Sequence, residues 1–172
     1  MELEHSVTPN VEYSGWPPSH IPWLQKLGLQ FTLSAEMETL EWLGKGPFET
    51  YPDRKTGAKT GLYSTAIDEI KIPYIIPQDF DNRTDVRWAK ITSSTDTGLA
   101  FYSSHLMNIA VDPYENLDSA WYPYQLQRSS NPVLSIDHRV TGVGGTPVTA
   151  REPYRTYPTD YRYKVYFMPY RR

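Results

Sequence analysis

The sequence has no cysteine, which excludes a disulfide framework, thiolate metal sites and a cysteine nucleophile. Histidine is scarce: His5, His20, His105 and His138 are too widely spaced for any two to form a local ligand pair. No apolar run approaches the ~20 residues that cross a bilayer, and the opening MELEHSVTPN offers neither the basic nor the apolar part of a signal peptide. The 17 Lys and Arg are scattered apart from the final Arg171-Arg172, and the net charge is −3, so there is no basic face to neutralise phosphates. These absences describe a soluble chain without a membrane or nucleic-acid partner. Its compartment, cytoplasmic or periplasmic, depends on whatever precedes Met1.

Aromatic residues and turn formers are what the chain does have: 14 Tyr, 5 Trp and 5 Phe beside 15 Pro and 10 Gly in 172 residues. Aromatics favour strands, and Pro with Gly punctuates short elements, so the composition predicts an all-β antiparallel domain with long loops. Residues 6–22 are Pro-rich without periodicity and read as an extended arm, with 1–22 as arm or linker and 23–172 as a β-sandwich. Strict alternation predicts strands over Leu27–Leu33 and Glu38–Gly44, joined as a hairpin through Ser34–Met37. Further strands are expected at Asp85–Ser93, with Val86, Trp88 and Lys90 on one face, and at Leu99–Ser103, Asn108–Asp112, Val133–Val140 and Tyr161–Met168. One short helix is expected after Asp112: the aspartate serves as N-cap, Pro113 takes the first helical position and Glu115 completes a capping box. Segments 44–84 and 141–160 read as loops long enough to carry function.

Several chemical motifs fail on inspection. Gly44-Lys45-Gly46-Pro47-Phe48-Glu49 lacks the third glycine and the following helix of a nucleotide loop. Asp79, Asp81 and Asp85 cluster, yet Arg83 sits where a calcium loop needs an oxygen ligand and Lys90 where it needs the closing glutamate. His138 falls on the apolar side of its strand and reads as a core histidine. Glu49 and Asp53 could suggest a glycosidase pair, but such carboxyls face each other across the scissile bond. These two share one Pro-flanked loop. Arg54 and Lys55 can neutralise them there while Pro47 and Pro52 fix φ and Tyr51 packs below.

The segment WLGKGPFETYPDRKTG, residues 42–57, resembles a motif of the C-terminal β-sandwich domain of glycoside hydrolase family 2 β-galactosidases, W-x-G-x-G-P-x-E-x-Y-x-D-R. PYIIPQDFDNRTDVRW at 73–88 is similar to that family's P-Y-x-x-P-Q-E-x-G-N-R-x-D-x-R-W, VTGVGG at 140–145 to its G-[IV]-G-G segment, and LGLQFTL at 27–33 to its preceding strand. The resemblance runs in order from about residue 24 to the end. It implies an antiparallel supersandwich of the galactose mutarotase-like type, of which this chain would be the later portion.

By the same resemblance Trp42, Gly44, Gly46, Pro47, Glu49, Tyr51, Asp53, Arg54, Arg87, Trp88, Gly144 and Gly145 take structural positions and none is catalytic. The catalytic glutamates and their magnesium belong to a (β/α)8 barrel elsewhere in the parent polypeptide, so no cofactor is expected in this chain. In that family a tryptophan four residues after the Gly-Gly pair contributes to the sugar site; here that position is Thr149, and Tyr154 or Tyr157 could supply an aromatic face instead. The expected role is thus an accessory domain that walls a galactoside site and partners the barrel, inactive by itself and self-associating through exposed sheet edges. The alternative is an independent carbohydrate-binding module using Trp16, Trp23, Trp121 and the Tyr-rich tail.

Overall fold

The computed structural model describes residues 2–7, as backbone, together with 23–145 and 148–171. It is all-β and antiparallel, with eight strands in one continuous hydrogen-bonded sheet: β1 (Glu2–Val7), β2 (Lys26–Thr32), β3 (Met37–Gly46), β4 (Lys59–Ala66), β5 (Arg83–Ser93), β6 (Thr97–Tyr114), β7 (Arg128–Val140) and β8 (Tyr161–Arg171). The main path runs β1-β8-β6-β5-β3-β4, and β7 branches from β6 to carry β2. Among the described residues no helix is long and apolar enough to cross a membrane.

The branch arises in β6, whose length lets it serve two neighbours on one side. Its first half pairs with β8 through Phe101 and Phe167, and its second half with β7 through Ile109 and Ile136. The sheet therefore folds over itself, and β2 lies against β8, where the rings of Phe31 and Phe167 meet edge-on at 5.3 Å. Period-two alternation supplies the filling: Leu40, Trp42, Val86, Ala89, Ile91, Phe101, Ile109, Val111, Leu134, Ile136, Val165 and Phe167 form one buried cluster. This is the two-layer packing of a sandwich core.

Four expectations need correction. No β2–β3 hairpin forms: the Ser34–Met37 turn exists, with the Met37 amide donating to the Ser34 carbonyl, but β2 pairs with β7 and β3 with β4 and β5. The strands expected at 99–103 and 108–112 are one strand, β6. The Asp112 signals do not start a helix, because Asp112 and Tyr114 pair with β7 around a bulge and the Asp112 carboxylate accepts the Tyr114 amide. The only nearby helical turn is a three-residue 3-10 segment at Pro123–Gln125. Finally, Trp88 and Val86 do not share a face, since an irregularity between them turns Val86 inward with Ala89 and Ile91 and leaves Trp88 half-buried on the outer side.

The expected loop at 44–84 contains β4, which pairs with β3 along its whole length. Glu2–Val7 pair with β8, so β8 is internal to the sheet. The Pro-rich stretch 8–22, including Trp16, lies outside the described residues.

Candidate functional site

The loop after β3 is held by three layers of contact. At the bottom, the Trp42 indole donates to the Lys45 carbonyl at 2.9 Å and lies under the Arg83 guanidinium at 4.4 Å from the ring centre. Gly44 and Gly46 are small because their neighbours are close: a Cβ at Gly44 would sit 2.8 Å from Val86, and one at Gly46 2.7 Å from the Tyr63 ring. The peptide before Pro47 is cis.

Above them Glu49 is a hub. Its carboxylate accepts from Arg54 at 2.5 Å, from the Tyr74 hydroxyl and from the Asp81 amide at 3.0 Å. Tyr51 is fully buried and donates to Asp79 at 2.9 Å, and Asp79 also pairs with Lys26. Burial, with Asp79 and Glu49 adding to it, raises the Tyr51 phenol far above its usual range, so it remains a proton donor. Asp81 stands where the family pattern has glycine, and its φ of 65° gives the reason for that glycine. Here the carboxylate, raised by burial and opposed by Arg83, pairs with Arg83 at 2.6 Å.

The third layer links distant loops. Asp53 accepts the amides of Val143 at 3.1 Å and Gly144 at 2.7 Å. Gly144 has φ 66°, which turns successive amides toward one acceptor. Thr141 ties the same loop down, donating to the Leu24 carbonyl at 2.6 Å and accepting the Thr156 amide at 2.8 Å. Gly145 closes a bridge to Val148.

Two clefts flank this loop. One, of about 820 Å3, is bordered by Thr149, Gly144 and Gly145 with Trp23, Arg54 and Tyr74. The other, of about 550 Å3, holds Tyr154 and Tyr157 with Tyr161, His138, Lys55 and Asp85. The three residues expected to touch sugar therefore divide between two places, and Tyr154 and Tyr157 do not join Thr149. Arg87 is exposed on β5 and belongs to neither cleft. Glu49 and Asp53 are each engaged by donors in the loop framework, which places both in support of the fold.

A family model described as "Beta galactosidase small chain" matches residues 1–167. The chain belongs to the β-galactosidase small chain family. It is 35% identical over 78% of its length to a β-galactosidase of Priestia megaterium, of which it covers 13%. A Pseudoalteromonas haloplanktis β-galactosidase is 33% identical over 84% of the chain and 14% of the relative. One from Alteromonas mediterranea is 28% identical over 96% of the chain and 16% of the relative. This member of the family thus spans about one-seventh of the length of the relatives it matches.

Within the small-chain fold, Trp23, Tyr74 and Gln78 border the Thr149 cleft although sequence reading gave them no part in a site. A signal was present for the last two: the Pro73-Tyr74 and Pro77-Gln78 pairs open the second family-like segment. Trp23 had none, because it reaches the cleft only through the bridge between Leu24 and Thr156 and the stacking of Arg155 on its ring at 4.0 Å.

Proposed function

We propose that this chain is an accessory, structural domain of a β-galactosidase, and that hydrolysis of terminal β-D-galactosides is performed by a barrel outside it. The observation that carries the reading is the Asp53 clamp on Val143 and Gly144, which holds a loop rigidly at the lip of the Thr149 cleft. A fixed backbone wall beside a cleft with Trp23 and Tyr74 suits the side of a sugar site, where an aromatic face meets apolar C–H groups and polar edges meet hydroxyls. Chemistry is assigned elsewhere because Glu49 and Asp53 each already hold donors of the scaffold. The magnesium of such enzymes belongs with the barrel in this reading.

The test has two arms. The purified chain should leave a chromogenic β-galactoside intact. In the complete polypeptide, Thr149→Arg should raise KM several-fold while kcat changes little, since it obstructs a wall without touching the reacting bond. Unchanged KM would remove the wall from the proposal, and turnover by the chain alone would overturn the accessory role. The second reading, an independent carbohydrate-binding module, draws support from Trp121 and Tyr124, which are 72% and 81% exposed. Galactose binding by the isolated chain that is lost in Trp121→Ala would favour it.

A further inference from the structure

An antiparallel sheet with one wet face normally alternates apolar inside and polar outside. The outer face of β4-β3-β5-β6-β8 does not follow that rule. Register makes Leu62, Leu43, Trp88, Tyr102 and Tyr166 direct neighbours in one row across five strands. The adjoining row runs Ser64, Glu41, Lys90, Ala100 and Met168. Leu62 is 61%, Tyr102 39% and Met168 49% exposed, and a shallow groove of about 250 Å3 lies between Trp88, Tyr102, Met168 and Tyr170. At its border Lys90 pairs with Glu41 at 3.3 Å and sits over the Tyr170 ring at 4.4 Å. An apolar centre with an ionic rim is the anatomy of a protein interface.

We propose that this face is where the small-chain domain docks onto the remaining polypeptide of its β-galactosidase, which lays an apolar surface across the row. The inference rests on the accessory-domain reading above. A sugar is the poorer occupant because the ring faces are already in use: Tyr102 and Tyr166 stack on each other at 4.9 Å and 14°, and Lys90 covers Tyr170. What remains outward is ring edge and aliphatic stem. A second copy is the poorer occupant because the relatives carry the matching segment within chains of which it is 13–16%. Covalent linkage then supplies the neighbouring surface at an effective concentration of about millimolar.

Hydroxyl-radical footprinting of the complete polypeptide and of the chain alone tests the docking. Trp88, Tyr102 and Met168 should oxidise several-fold more slowly in the complete polypeptide. Leu62→Lys and Tyr102→Lys, both at exposed positions, should leave the isolated chain's thermal transition unchanged and lower that of the complete protein. Equal oxidation in the two settings overturns the proposal, as does protection in the isolated chain that grows with its concentration, which would assign the face to a second copy. If oxidation is equal while Thr149→Arg still raises KM, this inference fails and the accessory reading stands.

Discussion

The carboxylate of Asp53 and the amide of Gly144, 91 positions apart in sequence, are joined at 2.7 Å. Gly142 is packed onto the same carboxylate so closely that a Cβ there would lie 2.4 Å from the Asp53 Cγ. The two residues therefore depend on each other. Gly142→Ala should push the carboxylate aside and cost about 1–3 kcal/mol, the order of a lost charge-assisted hydrogen bond. In an Asp53→Ala background the same change should cost much less, and chemical denaturation of the four proteins in a double-mutant cycle gives the coupling. Additive costs would show that the clamp does not operate.

Glu49 joins Arg54, Tyr74 and the Asp81 amide into one unit. Glu49→Gln keeps the shape and removes the charge, so a loss of about 1–2 kcal/mol is expected, limited because the Arg54 side chain is 47% exposed. Tyr74→Phe should then add little to Glu49→Gln, since both act on the same hydrogen bond. Thermal melts of the single and double variants check it.

Asp137 introduces a pH dependence of definite sign. Burial, with Asp79 adding and Lys26 opposing, lifts its carboxyl from an ordinary value near 3.8 to about 7. Between those values the folded state binds a proton that the unfolded state has released, so this group's contribution to stability is full below about 3.8 and is lost as pH rises through about 7. One of its oxygens is buried without a hydrogen-bond partner, which agrees with a neutral acid. Asp137→Asn should therefore be close to wild type near pH 4 and more stable by about 2 kcal/mol near pH 8. Denaturant midpoints across that range measure the difference, and parallel curves for the two proteins would contradict it.

Glycines in the two halves of the chain should respond oppositely to a methyl group. At Gly98 a Cβ would lie 1.9 Å from the Ile91 carbonyl oxygen, a backbone atom with no room to yield, whereas at Gly145 nothing lies within 4 Å. Gly98→Ala is expected to destabilise by about 3 kcal/mol or more, as overpacking against backbone does. Gly145→Ala should stay within about 0.5 kcal/mol of wild type. Melting temperatures of the pair decide it.

The strands were legible wherever alternation was strong, as in Leu27–Leu33 and Tyr161–Met168, because a half-buried strand writes its period into the residues. β4 was not, since its outer positions include Leu62 and its inner ones small or polar residues, so KTGLYSTA has no clean period. The Asp112-Pro113 signal misled for a related reason. A proline that suits the first turn of a helix suits a bulge equally well, and the free pairing edge of β7 took the segment into the sheet. In the site, the motif residues were readable one by one, but the division of Thr149 from Tyr154 and Tyr157 was not, because Thr141 pins the loop between them to Leu24 and Thr156.

By itself the sequence determined the class of fold, the family and the support role of the Glu49–Arg54 loop, because these follow from local period, residue type and ordered spacing. The tertiary structure decided which strands became neighbours, where β6 forks, which cleft each aromatic enters and which outer face stayed apolar. Those outcomes depend on contacts between residues far apart in the chain, such as Asp53 with Gly144 and Trp88 with Tyr102, and no local pattern encodes them.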